Sequence, residues 1–322
     1  MTELMIEAIG ISRKFGDVTA LDDVNVHVPK GSVLGLLGHN GAGKTTLINV
    51  LTTVLPPHSG KATVAGFDVV HQAHQVRARI GVAGQFTAVD EQLTGTDNLV
   101  LVARLLGARK REAKEKANQL MELLDLTGAT GRSAKTYSGG MRRRLDLAAS
   151  LVGQPDVIFL DEPTTGLDPA SRIEVWKIIE GLVSDSTTVL LTTQHLEEAD
   201  RLANSITVLS RGVVVAAGTA AELKAKVGLP TVHVTLTAAE DAPLAMDSLE
   251  CAGLYPVHDE SRRAVSTPVA SSTGLATVVR ALDRVGVQAA ELSFNEPSLD
   301  DVYVTLAKSS VATTVQSSSR TL

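Results

Sequence analysis

A glycine-rich segment that ends in lysine and threonine is the strongest chemical pattern in the sequence. It fits the spacing G-x-x-x-x-G-K-[ST], follows an apolar run and precedes a helical one. Glycines let successive backbone N–H groups turn toward a phosphate, and a helix N-terminus adds positive potential. Lys44 would neutralise the β- and γ-phosphates, and Thr45 would offer its hydroxyl to Mg²⁺. This predicted phosphate loop comprises Gly38, His39, Asn40, Gly41, Ala42, Gly43, Lys44, Thr45 and Thr46.

Two acidic residues and a histidine follow other apolar runs. Asp161 and Glu162 come directly after VIFL, which predicts that a buried strand delivers both carboxylates to the edge of a sheet beside the phosphate loop. Asp161 could hold Mg²⁺ there, directly or through water. Glu162 could polarise the water that attacks a γ-phosphate in line. His195 follows the run TVLLTTQ, where its imidazole could donate a hydrogen bond to a γ-phosphate oxygen.

The order of the apolar runs indicates which elements carry these residues. Alternating segments within residues 1–30 predict an antiparallel pair of strands. Between 150 and 226, short apolar strands alternate with amphipathic helices, which is typical of a parallel sheet with helices on its faces. The first domain is therefore predicted to be α/β. Residues 97–126 carry a helical pattern, and their charged stretch is typical of a solvated helix face.

The pattern changes near residues 227–230. The segments that follow are ordered strand, helix, strand, strand, helix, strand, which predicts a small α+β domain of ferredoxin-like arrangement over 230–307. A last helix is predicted to begin with Ser298 as its N-cap. Residues 308–322 are rich in Ser and Thr without a core pattern, so they are predicted to be a disordered tail.

Composition argues against several classes of protein. A formal net charge of −6 and an aromatic content of 3% argue against nucleic-acid binding, since neither a basic surface nor base-stacking platforms are available. The single cysteine allows no internal disulfide, and a cytosolic setting is expected. Every apolar stretch is too short to span a membrane.

A second group of motifs gives a specific resemblance. The segment Tyr137-Ser138-Gly139-Gly140-Met141 resembles the signature motif, usually written LSGGQ, of ABC-type ATPases. Further elements of that family occur in its order, and the resemblance covers about residues 3–226. Phe15 resembles the adenine-stacking aromatic, Gln85 the Q-loop, the segment ending in Asp168 the D-loop, and His195 the switch histidine.

This resemblance implies a P-loop NTPase fold of the ABC ATPase type over residues 1–226. An N-terminal antiparallel β subdomain and a helical signature subdomain at about 86–153 belong to it. ATP and Mg²⁺ are the implied ligands, with Thr45, Gln85 and Asp161 at the metal and with Gln85, Glu162 and His195 acting in hydrolysis. Two copies would face each other head to tail, so that Ser138, Gly139 and Gly140 of one copy close the nucleotide of the other, and Asp168 would communicate between them.

The chain departs from the family pattern at three positions. Met141 replaces the usual Gln, Tyr137 the usual Leu, and Phe15 the commoner Tyr. Three arginines follow the signature at 142–144. Because successive residues on a helix point in different directions, these arginines are predicted to remain solvated or to pair with acids.

The C-terminal sequence narrows the resemblance. The segments FNEPSLDDVYVTLA, GHNGAGKTT and TTQHLEEAD are similar to the daunorubicin/doxorubicin-resistance (DrrA-like) ATP-binding proteins, motor subunits of exporters with separate membrane subunits. The similarity implies integral membrane permease partners and a peripheral position on the cytoplasmic face of the cell membrane. The cargo would be an amphiphilic drug of anthracycline type or a complex cell-envelope lipid. The segment after Gln85 resembles the groove for a permease's coupling helix, and domain 230–307 would have an accessory or regulatory role.

A soluble, non-transport ABC ATPase that acts in translation or on DNA is the alternative. Translation-associated relatives usually carry two cassettes in one chain, and chromosome-associated ones separate their motifs by long coiled coils. Neither feature occurs in this sequence.

Overall fold

The computed structural model describes residues 3–84, 89–259 and 264–302. The chain divides into two compact units at Ala220/Ala221. The sequence pattern predicts this boundary a few residues later, at 227–230. Gln85 and the predicted tail at 308–322 lie outside the described residues. In the described part of the chain, helices are all too short or too polar to cross a membrane.

The first unit begins with alternating strands and continues with strands and helices in turn. Its elements are β1 (Leu4–Phe15), β2 (Val18–Pro29), β3 (Val33–Leu37), α1 (Lys44–Leu51), β4 (Ser59–Val64), β5 (Phe67–Asp68), α2 (Ala73–Arg77), β6 (Ile80–Ala83), α3 (Gly95–Leu105), α4 (Lys110–Leu123), α5 (Gly139–Leu151), β7 (Val157–Asp161), α6 (Pro169–Ser184), β8 (Thr188–Thr193), α7 (Leu196–Leu202), β9 (Ser205–Ser210) and β10 (Val213–Gly218). α8 (Ala220–Ala225) follows at the division between the units.

The central sheet of this unit positions the predicted site. Its strand order is β10-β9-β3-β8-β7-β6, and the strands from β9 to β6 run parallel. β3, β7 and β8 are buried at every position because both faces of the sheet are covered, which explains their continuous apolar runs. In this register Leu37 pairs with Thr193, and Asp161 pairs with Thr192. The carboxyl ends of β3, β7 and β8 therefore meet at one edge.

An antiparallel sheet forms the predicted N-terminal subdomain. Its order is β2-β1-β4-β5, and the β1–β2 hairpin pairs Phe15 with Val18 at its turn. Val24, Val26 and Val28 of β2 are buried and alternate with exposed residues, so one face of the hairpin packs into the core, and Phe15 lies at the hairpin turn.

Helices α3, α4 and α5 form the helical subdomain. They share an apolar cluster that includes Leu99, Met121 and Leu145, and Tyr137 is buried in the same cluster. The Tyr137 hydroxyl donates a hydrogen bond to the Ala129 carbonyl oxygen at 2.8 Å. Met141 packs against the cluster as well. The two departures from the signature pattern are thus residues of the subdomain core.

The second unit is a four-stranded antiparallel sheet with helices packed on it. Its strand order, β12-β13-β11-β14, is the ferredoxin-like arrangement that the sequence pattern predicts. Its core includes Val234, Leu249 and Leu282. The elements are β11 (Thr231–Leu236), α9 (Ala242–Cys251), β12 (Val257–Asp259), β13 (Ala264–Pro268), α10 (Thr273–Val285) and β14 (Ala289–Asn295).

The buried hydroxyl of Tyr137 gives a stability prediction. Tyr137→Phe removes the hydroxyl donor to the Ala129 carbonyl, which keeps the Arg132 N–H as its other donor, so we expect a loss of about 1 kcal/mol of unfolding free energy. Urea unfolding followed by circular dichroism would measure it. Tyr255→Phe is the matched control, since Tyr255 is 81% exposed and should leave the transition midpoint unchanged. Equal midpoints for the two variants would contradict a structural role for the Tyr137 hydroxyl.

Candidate active site

The predicted phosphate loop joins the end of β3 to the start of α1. Gly41 and Gly43 have φ angles of 80° and 108°, in the left-handed region that favours glycine. A Cβ atom on Gly43 would lie 2.5 Å from the carbonyl oxygen of Ala20. α1 has no side-chain cap within the described residues, so the N–H groups of its first turn are available to an anion. The cradle fits a phosphate group.

Lys44 lies inside this loop with only 5% of its surface exposed. Its Nζ atom donates to the carbonyl oxygens of Gly38 at 2.6 Å and His39 at 3.1 Å, and it lies 3.8 Å from Oε1 of Glu162. Burial lowers the pKa of Lys44, while the carboxylates of Glu162 and Asp161 raise it. The loop carbonyls therefore hold a cation where the terminal phosphates of a nucleotide would lie.

Asp161 ends β7 beside the first turn of α1. Its Oδ2 atom accepts a hydrogen bond from the Thr45 hydroxyl at 3.2 Å, and Oδ1 accepts one from the Thr192 hydroxyl at 2.5 Å. A carboxylate and a hydroxyl are oxygen ligands that suit Mg²⁺. No group of three or more His, Cys, Asp or Glu side chains in the described chain could hold a metal by itself. Phosphate oxygens and water would complete such a site, as Mg²⁺ prefers.

The Glu162 carboxylate is held by neutral donors. Oε1 accepts a hydrogen bond from Nε2 of Gln194 at 2.7 Å, and Oε2 accepts one from the Thr165 hydroxyl at 3.2 Å. The backbone of Glu162 has a φ angle of 51°, and its N–H donates to the Thr192 hydroxyl at 3.0 Å. The side chain is 8% exposed. These contacts orient a carboxylate beside the phosphate loop, as a general base requires.

Gln194 is a residue of the candidate site that the sequence motifs do not include. Besides Glu162, its Nε2 atom donates to Oδ1 of Asn40 at 2.8 Å, so one amide joins the phosphate loop to the carboxylate. His195 is exposed at the start of α7, and its imidazole has no hydrogen-bond partner among the described residues. The role of His195 thus stays a prediction. The sequence does contain one feature that could have identified Gln194, because its side-chain amide directly follows the buried strand β8.

Phe15 and the phosphate loop line one pocket. The pocket has a volume of about 290 Å³, and its lining includes Phe15, Asn40, Lys44, Thr45 and Glu162. Phe15 is 46% exposed and is not a core residue. The guanidinium carbon of Arg13 lies 5.2 Å from the centre of its ring. The ring is therefore available to stack on a planar base.

The signature residues begin α5. Ser138 is its N-cap, accepting from the Met141 N–H at 3.2 Å, and Gly139 is exposed. Gly140 is buried against α6, where a Cβ atom would lie 2.5 Å from the Ser171 hydroxyl oxygen. As far as the structure describes the chain, the lining of the Phe15 pocket contains none of these three residues.

Asp168 caps α6. Its carboxylate accepts hydrogen bonds from the Ser171 hydroxyl at 2.6 Å and from the Ser171 N–H at 3.0 Å, and the hydroxyl contact is the main cause that lowers the pKa of Asp168. The structure gives Asp168 this local role, and communication between two copies stays a prediction.

The three arginines of α5 pair with acids, as predicted. Arg142 contacts Glu91 at 3.0 Å, Arg143 contacts Asp146 at 3.3 Å, and Arg144 contacts Asp125 and Glu174. Arg143 differs from its neighbours because it also donates to three backbone carbonyls of the site. The sequence pattern gives no sign of those contacts.

Comparison with known proteins gives a family and close relatives. The family model described as ABC transporter matches residues 21–165. The daunorubicin resistance ATP-binding protein DrrA3 of Streptomyces coeruleorubidus is 47% identical over 307 residues, which cover 95% of this chain and 96% of that protein. The Nod factor export ATP-binding protein I of Paraburkholderia xenovorans is 36% identical over 73% of this chain and 77% of its own length.

Solved structures agree on the fold. A nucleotide-free ATP-binding cassette from an ABC transporter superposes with a TM-score of 0.62 at 25% identity. The match covers 67% of this chain and 92% of the cassette.

The amide of Gln194 gives a kinetic prediction. Gln194→Ala removes the 2.7 Å donor to Glu162, so we expect kcat for ATP hydrolysis to fall about tenfold or more while KM changes little, since a hydrogen bond to a charged group is lost. Gln119→Ala is the matched control on the exposed side of α4 and should keep the original rate. Slower hydrolysis in His195→Ala with an unchanged Gln194→Ala would assign the role to the histidine instead.

Proposed function

The chain belongs to the ABC transporter family of ATP-binding proteins, which are ATPases, and on that premise we propose that it is the ATP-hydrolysing motor subunit of an exporter. One observation carries the proposal. Lys44, Asp161 and Glu162, from two different segments of the chain, converge at one edge of the parallel sheet, with Lys44 and the Glu162 carboxylate 3.8 Å apart.

Each residue has a role that follows from its contacts. Lys44 would bind the terminal phosphates, and Phe15 would stack on adenine. Thr45 and Asp161 would hold Mg²⁺, with Gln85 as the third residue that the family resemblance implies; the metal would neutralise charge on the transferred phosphoryl group. Glu162 would take a proton from the attacking water, since an amide and a hydroxyl orient its carboxylate.

The complete site requires a second copy of the chain. Ser138 and Gly139 are exposed, and the described lining of the nucleotide pocket lacks them. A head-to-tail dimer would bring the signature segment of one copy against the nucleotide of the other. Loss of the γ-phosphate contacts after hydrolysis would then let the two copies separate.

The proposed work of this cycle is export through integral membrane permease subunits. Two relatives are named for daunorubicin resistance and for Nod factor export, which supports an amphiphilic cargo such as an anthracycline-type drug. The chain would then be a peripheral protein on the cytoplasmic face of the cell membrane.

The Thr45 hydroxyl gives a test of the metal site. Thr45→Val keeps the shape of the side chain and removes the oxygen that contacts Asp161, so we expect the Mg²⁺ concentration for half-maximal hydrolysis to rise about tenfold or more. Thr45→Ser is the control, since it restores the hydroxyl and should titrate like the wild type. A Thr45→Val titration curve that matches both would remove Thr45 from the metal site.

Glu162→Gln gives a test of the whole function. The substitution keeps the side chain's size and removes its proton acceptor, so we expect ATP binding to persist and hydrolysis to slow about a hundredfold or more. In cells that also express an integral membrane permease that copurifies with this chain, doxorubicin fluorescence should accumulate with Glu162→Gln and stay low with the wild type. Glu197→Gln, the same change at an exposed carboxylate, is the control. Equal drug content in wild-type and Glu162→Gln cells would contradict drug export.

A further inference from the structure

Arg143 is a largely buried cation beside residues 161–163. It lies on α5 three residues after Gly140, and its side chain is 14% exposed. Its Nε atom donates to the Pro163 carbonyl oxygen at 2.7 Å, and Nη2 donates to the Asp161 carbonyl oxygen at 3.2 Å. Its Nη1 atom donates to the Gly84 carbonyl oxygen at 2.8 Å and to Oδ2 of Asp146 at 3.3 Å.

These acceptors flank the catalytic glutamate. Asp161 and Pro163 are the residues on either side of Glu162, whose left-handed φ angle of 51° is uncommon for a residue with a Cβ atom. Donation to the Asp161 carbonyl fixes the peptide group that leads into Glu162, and donation to the Pro163 carbonyl fixes the peptide group that follows Pro163, so the chain is held on each side of that conformation. Only a planar guanidinium offers several donors in the fixed directions that three carbonyls require.

Burial of this charge is costly, which argues against a merely space-filling role. Desolvation lowers the pKa of Arg143, and Asp146, Asp161 and Glu198 raise it. Glu198 is fully buried; Oε1 accepts from Nε1 of Trp176 at 2.9 Å, whereas Oε2 has no hydrogen-bond partner in the described part of the chain. Three buried carboxylates thus favour the charged form of Arg143 at a position where apolar packing would often be as stable.

The same guanidinium also fixes the signature helix. α5 begins with Gly139, and Arg143 attaches its first turns to the ends of β6 and β7. Gly139, Arg143 and Glu162 line a common pocket of about 340 Å³. A displacement at the start of α5 would therefore move the guanidinium of Arg143 and, with it, the Asp161 and Pro163 carbonyls next to Glu162.

We propose that Arg143 is a positioning residue that couples the two nucleotide sites of a dimer. Arg143 connects two parts of the site. One is the signature segment, which would contact the partner's nucleotide, and the other is Glu162, which would act on the nucleotide of its own chain. This inference rests on the proposed function, since it needs a nucleotide shared between two copies.

The test uses mixed dimers of full-length chains that carry two different affinity tags. One copy carries Glu162→Gln and is silent, so a single turnover of labelled ATP reports the other copy's site. Arg143→Lys keeps the charge and loses the fork of donors. Placed in the active copy, it should slow the turnover about tenfold through Glu162 of that copy; placed in the silent copy, it should slow the turnover to a similar extent through the signature helix. Arg111→Lys, on the exposed face of α4, is the control and should change neither rate.

The outcomes separate the proposal from its alternatives. A defect in only one of the two placements would overturn the coupling, because Arg143 would then serve Glu162 alone or the signature helix alone. Arg143→Gln retains two donors without the charge and should also slow the turnover in both placements. It replaces Arg143→Lys if that variant does not fold. Ser138→Arg in the silent copy tests the shared site independently: an undiminished turnover there would refute the head-to-tail dimer itself, whatever Arg143→Lys does.

Discussion

Parallel pairing of β3, β7 and β8 brings the residues of the proposed active site to one edge of the sheet. The register sets Leu37 opposite Thr193 and Asp161 opposite Thr192, so the phosphate loop, the acidic pair and Gln194 emerge at the same level. A slip of one residue would turn every side chain of β7 to the other face of the sheet. Because all three strands are buried on both faces, that slip would disrupt the packing on both sides of the sheet and is strongly disfavoured.

Charge at this edge is balanced among few groups. Lys44 lies 3.8 Å from Glu162, and loop carbonyls take its remaining donors. A nucleotide would bring several negative charges, so the cation, the helix N-terminus and the glycine cradle must act together to hold it. Glu162 receives its two nearest hydrogen bonds from an amide and a hydroxyl, which orient it without removing its negative charge. That arrangement suits a group that must accept a proton.

Much of the fold, and the loop proposed to bind phosphate, can be predicted from the sequence because both depend on local patterns. Apolar runs next to glycine or acidic residues indicate the buried strands. The pattern G-x-x-x-x-G-K-[ST], which ends in Lys44 and Thr45, predicts a phosphate loop between a strand and a helix. Contacts between distant segments leave no such mark. Gln194 reaches Asn40 across 154 positions, and Arg143 reaches Gly84 across 59. Tyr137 looks like a departure in a binding motif, whereas its hydroxyl bonds inside the helical core at Ala129.

The position of Tyr137 also shows how a signature motif can vary while its chemistry persists. Tyr137 and Met141 bracket the motif and pack into the helical core, so their identity is set by the space available there. Ser138 and Gly139, between them, are exposed, and Gly140 must stay small because Ser171 lies against its Cα. The three residues proposed to reach a partner's nucleotide are thus the ones that core packing leaves free or keeps small. Variation at the flanking positions changes how the helix is anchored, and through Arg143 that anchor extends to the carbonyl groups of Asp161 and Pro163, the residues before and after Glu162.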